Sequence, residues 1–250
     1  MKYSFEKRES GKVEKYYGQL PAERAVTIYL NEKELVTMAA SPTDLKELAV
    51  GFLFTEGIID NYREIKRIDI DKDNYIWVEI FKEISLEKAK KRILTSGCGK
   101  GISLMLSSKK LAKIKAKVKV DKDYLLGKTK EALKMADTHK ISGGTHTASI
   151  FSKEKILTLK EDIGRHNGLD KVIGDLLAKG TLKEGIVLFS TGRISSEMAL
   201  KGIRSKIPIV ASLSSPTDAA VELGEKYGLT ILGYTRGRKM SIYTYPERIV

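Results

Sequence analysis

Residues 185–234 read GIVLFSTGRISSEMALKGIRSKIPIVASLSSPTDAAVELGEKYGLTILGY. Three short apolar runs, "GIVLFS", "IPIVASL" and "LTILGY", alternate with "SSEMALKGIRSK" and "PTDAAVELGEKYG", whose apolar residues recur at helical spacing. Runs of that length, bounded by Gly, Pro and Ser, predict buried strands. Strand and helix alternating over short connections predict a parallel α/β layer. Upstream, "NGLDKVIGDLLAKG" adds a helix with Leu169, Val172, Ile173, Leu176 and Leu177 on one face. Asn167 suits its N-cap and Gly180 its end. "THTASIFS" and "KILTLKE" predict strands joined near Lys153–Glu154, residues 124–136 a helix, and "SIYTY" a last strand.

The first half reads differently. In residues 23–40, Val26, Ile28 and Leu30 alternate before an Asn31–Glu32 turn, and Leu35 and Thr37 follow it, which predicts two strands. "SPTDLKELAVGFLFTEGII" predicts a helix with Ser41 as N-cap, Pro42 in the first turn, Asp44 completing a capping box and Gly57 at its end. Residues 66–82 predict further strands, with Trp77 in the core. "KIKAKVKV", residues 113–120, alternates strictly between Ile114, Ala116, Val118, Val120 and four lysines. It reads as an edge strand guarded by lysines. A nucleic-acid stripe fits less well, because no aromatic residues interleave with the charges. These patterns divide the chain near residue 122: a smaller N-terminal α+β part, 1–122, and an α/β part, 123–250.

Composition narrows the function classes. The 250 residues are 42% hydrophobic with a formal net charge of +13. That charge points to an anionic partner, although abundant Lys and Glu is also a heat-adaptation pattern. No run approaches 18 apolar residues and "MKYSFEKRES" has no apolar stretch of a secretory signal. A single cysteine forms no internal disulfide, and together these features predict a cytoplasmic protein without membrane spans. One cysteine and three histidines exclude a Cys-rich zinc site, and no metal ligands are assigned.

Parallel strands gather ligands at their C-terminal ends. There the sequence places Ser190-Thr191-Gly192-Arg193, Ser212 to Thr217, and Tyr234-Thr235-Arg236-Gly237-Arg238-Lys239. Hydroxyls, cations and helix N-termini at one rim suit a phosphorylated ligand, a nucleotide or a pterin phosphate. His146 follows two glycines, and Arg165 and His166 lie between a strand and a helix; either histidine could donate a proton or help bind a ligand. Cys98, in "TSGCGKG", is flanked by Gly97, Gly99 and Gly101, with Lys100 able to favour its thiolate. Such a thiol is a nucleophile or group carrier: a persulfide, an acyl thioester or an intermolecular disulfide remain open.

Taken together, these blocks resemble the formate dehydrogenase accessory sulfurtransferases. The resemblance runs from about Glu23 to Arg248 through "SPTDLKELAVGFLFTEGII", the cysteine loop, "GGTHTAS", "EDIGRHNGLDKVIG", "STGRISSEMALKGI", "SSPTDAAVELGEKYGLTILGYTRGR" and "IYTYPERI". It implies a C-terminal cytidine-deaminase-like three-layer domain without zinc chemistry, and a homodimer. It also implies transfer of persulfide sulfur from a cysteine desulfurase, through Cys98, to the molybdenum or tungsten of bis-molybdopterin guanine dinucleotide, for use by formate dehydrogenase. On this reading Tyr234, Thr235, Arg236, Gly237, Arg238 and Lys239 bind that cofactor, with Arg193, His146, Arg165 and His166 beside them. Neither nucleic acid nor a membrane is an expected partner. The family's loop commonly carries a second cysteine where this chain has Gly101, which leaves a one-thiol carrier or a cofactor chaperone that transfers no sulfur.

Overall fold

A computed structural model describes residues 2–9, 12–82 and 111–250. Cys98 and its glycine-rich loop lie outside the described residues. Twelve strands and six α-helices are described. A hairpin, β1 (Lys2–Glu9) and β2 (Lys12–Gln19), is followed by β3 (Arg24–Leu30), β4 (Lys33–Ala40), α1 (Leu45–Thr55), β5 (Ile65–Ile70) and β6 (Tyr75–Ile80). Then come α2 (Lys122–Met135), α3 (Asp137–Ser142), β7 (His146–Phe151), β8 (Ile156–Asp162), α4 (Arg165–Lys179) and β9 (Val187–Ser190). The chain ends with α5 (Ser196–Arg204), β10 (Ile209–Ser212), α6 (Asp218–Tyr227), β11 (Thr230–Arg236) and β12 (Lys239–Ile242).

The large sheet has the order β12-β11-β10-β9-β7-β8. β9, β10 and β11 pair in parallel, whereas β7 is antiparallel to both β8 and β9, and β12 to β11. Four of the six strands, β8 to β11, therefore run the same way. Both faces are covered, and this is why the strands read as unbroken apolar runs. Successive side chains of a strand take opposite faces. Leu188 points with Ile150, Val210 and Ile231 towards α4, α5 and α6, while Val187 and Phe189 point with Phe151, Ile209 and Leu232 towards Leu125 and Ala132 of α2. The result is three layers, α2, sheet, and α4–α6.

The smaller sheet, β4-β3-β6-β5, turns Val26, Ile28, Leu30, Val36, Ile76 and Val78 onto α1. α1 lies between this sheet and α4, so Leu45 and every residue from Leu48 to Thr55 are buried. A helix apolar on all sides needs such a place. One core cluster runs unbroken from Val26 to Ile231. Within it α1 and α4 meet at Gly51 and Gly174, which let the two backbones touch.

Several local expectations are corrected. Trp77 is 39% exposed, because Ile76, Val78 and Ile80 take the inner face of β6; it stacks on Tyr29 with ring centroids 4.0 Å apart. Residues 113–119 form no strand ladder among the described residues. Burial alternates along the segment, with Ile114 and Val120 buried, and among the described residues its backbone meets neighbours at Ile114, which donates to Tyr227 O, and at a bridge from Val120 to Ile249. The N-cap of α1 is Asp44 in a left-handed conformation, without a side-chain cap bond, and the N-cap of α4 is Gly164 rather than Asn167. Ser41 and Asn167 are drawn instead into a buried knot described below. The last strand is Lys239–Ile242 and stops short of "YTY", residues 243–245. The hairpin β1–β2 and helix α3 carry no strong apolar period, and periodicity gave no sign of them.

Candidate functional site

The C-terminal ends of β8, β9, β10 and β11 and the start of antiparallel β7 lie on one edge of the large sheet. Hydrogen bonds tie the loops there into a continuous rim. Thr191 N donates to Thr147 O at 3.0 Å, and Thr147 N donates to Thr191 Oγ1 at 3.1 Å. Ser212 Oγ donates to Gly192 O (2.6 Å), Thr235 Oγ1 to Ser212 O (2.8 Å), and Tyr234 N to Ser214 O (3.2 Å). Ile194 bridges Pro216, so the loops leading to α5 and α6 run side by side. Gly192 leaves room for the Arg165 side chain, whose Cβ lies 2.8 Å from where a Gly192 Cβ would stand.

This edge brings together His146, Arg165, His166, Arg193, Tyr234, Thr235 and Arg236. Thr235 is buried and locks the rim, while Arg193, Tyr234, Arg236, Arg238 and Lys239 are exposed. Arg236 pairs with Lys239 across a two-residue turn of Gly237 and Arg238, with Gly237 at φ +63°. The turn needs a left-handed residue, and glycine adopts it without strain. Tyr234 also has positive φ, 53°, at an irregularity between Gly233 and Arg236. Arg165 Nε is buried without a hydrogen-bond partner among the described residues. That orphaned donor, among exposed guanidinium groups, fits the phosphates of an anionic ligand.

The loop carrying Arg165 and His166 is fixed from below. Asp162 is fully buried; its carboxylate accepts from Ser41 N (3.1 Å), Gly164 N (2.8 Å), Asn167 Nδ2 (2.9 Å) and the buried Lys171 Nζ (2.6 Å). Ser41 Oγ accepts from Ile163 N at 3.2 Å. The start of α1 is thereby stitched to the start of α4.

His166 Nε2 lies 3.1 Å from Ser195 Oγ, the cap of α5, and 3.4 Å from Glu197 Oε2. Burial, with the charges of Lys201 and Arg165 nearby, pulls His166 down to about 3. Burial and Arg165 also lower His146, whose Nδ1 is 3.3 Å from Thr191 Oγ1. Both rings are neutral near pH 7 and can donate or accept a hydrogen bond without adding charge.

Below His166 runs a polar seam that sequence reading missed. Lys201 Nζ lies 2.7 and 2.8 Å from the two Asp170 oxygens, 2.9 Å from Thr55 Oγ1 and 3.8 Å from Glu56 Oε1. The available signal was spacing: His166 with Asp170, and Glu197 with Lys201, are i,i+4 pairs on two facing helices. Burial pushes Glu56 up to about 7, with Lys201 partly opposing. Glu56 Oε2 has no partner among the described residues.

The two shifts act in opposite directions. Between about pH 4.5 and 7 the unfolded chain gives up the Glu56 proton and the folded chain keeps it, so stability falls as pH rises through that window. Below about pH 6.5 the unfolded His166 ring takes up a proton that the folded ring refuses until about pH 3, so stability falls as pH falls. Where the windows overlap, about pH 4.5–6.5, Glu56→Gln should leave stability rising with pH and His166→Gln should leave it falling, in melting temperatures taken across pH 3–8. Profiles of both variants parallel to wild type would contradict these assignments.

The FdhD/NarQ family model matches residues 21–250, which span the whole of the rim and the four- and six-stranded sheets but not the β1–β2 hairpin. The chain belongs to the FdhD/NarQ family. FdhD/NarQ relatives include the sulfur carrier protein FdhD of Bacillus subtilis, 35% identical over 96% of this chain and 94% of that one. The protein of the same name from Saccharolobus solfataricus is 32% identical over 87% of this chain and 84% of that one. A crystal structure from Desulfotalea psychrophila, assigned as a formate dehydrogenase accessory protein, superposes with a TM-score of 0.82. It covers 100% of this chain and 99% of that one at 26% identity. The α/β architecture is thus the FdhD fold. Among the described residues no helix is long and apolar enough to cross a membrane.

Proposed function

We propose that this chain is a sulfur carrier that accepts persulfide sulfur from a cysteine desulfurase on Cys98. It then passes that sulfur to the molybdenum or tungsten of bis-molybdopterin guanine dinucleotide, the form formate dehydrogenase uses. The observation that carries this reading is the rim: neutral histidines, the buried Arg165 Nε, without a partner among the described residues, and the exposed Arg193, Arg236, Arg238 and Lys239 on one sheet edge of an FdhD/NarQ chain. A guanine dinucleotide presents phosphates that guanidinium groups bind in pairs of hydrogen bonds. Tyr234, exposed beside them, offers a ring to stack on.

The Cys98 thiolate attacks the outer sulfur of the donor's persulfide. Cys98 becomes the persulfide and the donor leaves as thiolate. Release of that sulfur as sulfide takes two electrons. An external thiol supplies them by attacking the Cys98 sulfur, which expels hydrosulfide and leaves a mixed disulfide that a second thiol reduces. Gly101 stands where a second internal thiol would have served.

Intact-mass spectrometry after incubation with a cysteine desulfurase and L-cysteine should show one added sulfur atom, absent in Cys98→Ala. Guanosine diphosphate binding, titrated at constant salt, should weaken about tenfold or more in Arg236→Glu and less than about threefold in Lys117→Glu. Intact nucleotide binding with no sulfur adduct would make the chain a cofactor chaperone instead. Equal losses in the two charge variants would remove the rim as the binding site.

A further inference from the structure

The lysine row of residues 113–119 is left unexplained by the rim. Among the described residues it guards no sheet edge, because residues 113–119 join no ladder there. The segment is nevertheless held firmly. Ile114 N donates to Tyr227 O at 2.7 Å, Val120 N to Arg248 O at 2.8 Å, and Arg248 Nε to Ala116 O at 3.3 Å. Arg248, itself buried, is anchored by Nη1 on Gly228 O (2.7 Å) and Thr230 Oγ1 (3.1 Å). With Ile114, Ala116, Val118 and Val120 turned inward, Lys113, Lys115, Lys117 and Lys119 stand exposed on the other side. Extended chain rises about 3.3 Å per residue, so neighbouring charges are about 7 Å apart and the row spans about 20 Å. Elsewhere Lys66, Lys82, Lys128 and Lys179 meet carboxylates, but these four lysines enter no ion pair among the described residues.

Position decides what the row can serve. Tyr227 and Gly228 precede β11, so the row lies towards the N-terminal edge of the parallel strands, opposite the rim. A macromolecule seated there leaves the cofactor edge open. The row begins fifteen residues after Cys98 in the chain, a span of at most about 50 Å.

We propose that this row docks an acidic face of the protein that loads sulfur onto Cys98, an inference that rests on the carrier reading above. Four lysines without an arginine give point charges that steer and orient an acidic protein surface. Phosphate recognition favours arginine forks, and base stacking needs free aromatic rings. The ring beside the row, Tyr245, already has Lys113 Nζ at 6.0 Å and the Arg248 guanidinium at 5.0 Å.

The test uses the full chain, a variant with Lys113, Lys115, Lys117 and Lys119 all changed to Glu, and a control with the same charge change at Lys12, Lys33, Lys46 and Lys72. Dissociation constants are measured by biolayer interferometry at low and high salt. The three probes are the cysteine desulfurase of the same cell, a 20-base-pair duplex, and phosphatidylglycerol vesicles. The row variant should bind the desulfurase about tenfold or more weakly at low salt, and the control less than about threefold. Equal losses in row and control variants, no loss in the row variant, or a row effect confined to the duplex or the vesicles would overturn the proposal. Loading of Cys98 by inorganic polysulfide bypasses docking and should be unchanged in the row variant. Failure of polysulfide and desulfurase alike to load the wild type counts against the carrier chemistry, while the binding constants still decide the docking.

Discussion

Gly174→Ala should unfold or nearly unfold the protein. A Cβ at this position would stand 2.0 Å from Glu47 O and 2.7 Å from Gly51 N, and one on Gly51 would stand 1.8 Å from Asp170 O. These are backbone atoms of α1 and α4, so no side chain can move aside. Restoring contact distance requires the helices to separate by more than an ångström inside a shared core, an overpacking cost of about 3 kcal/mol or more. Helix propensity alone predicts the opposite sign, since alanine is favoured over glycine by about 1 kcal/mol in a helix interior. Gly127 provides the control within the chain: it is exposed on α2 with nothing within 4 Å of its would-be Cβ. Gly127→Ala should therefore stabilise slightly in the same urea titration that shows Gly174→Ala collapsing. A Gly174→Ala protein as stable as wild type would refute the backbone contact.

Asp162→Ala comes next in size. The substitution removes one acceptor from Ser41 N, Gly164 N, Asn167 Nδ2 and Lys171 Nζ, and leaves a fully buried ammonium without its counter-charge. Breaking a buried pair from one side costs about 3–5 kcal/mol. The loss should be strongly non-additive. Adding Lys171→Met removes the stranded charge and should return part of the stability, and additive effects in the double variant would contradict the pairing. Guanosine diphosphate affinity should fall as well, because this knot fixes the loop that presents Arg165 and His166.

Most of the α/β half could be read from sequence because its strands are buried on both faces and its helices carry clear caps and stops. Gly180 and Gly228 end α4 and α6 with φ of 72° and 76°. The rim residues were legible for the same reason: strand ends are fixed by the apolar runs before them. Charge inside the core was not. Lys171, Asp170 and Lys201 look like solvent-facing residues in a one-dimensional pattern, and only the stacking of α1 on α4 and α5 encloses them. Trp77 was misplaced because large aromatic residues suggest a core, whereas the two-residue period of β6 put its neighbours there. At residues 113–120 the alternation correctly separated inward from outward side chains, but it could not say whether another strand lay alongside.

The placement of α1 has a consequence for biosynthesis. Its partners are far off in the chain: Ser41 waits for Asp162, 121 positions on, and Phe54 for Arg204, 150 positions on. A growing polypeptide therefore emerges with the small sheet ready to cover one side of its most apolar helix, while the surface that covers the other side, α4, is translated only after more than a hundred further residues. Long-separation contacts of this kind close slowly and leave sticky intermediates. Until then the uncovered side of this helix is the segment of the nascent chain most exposed to aggregation.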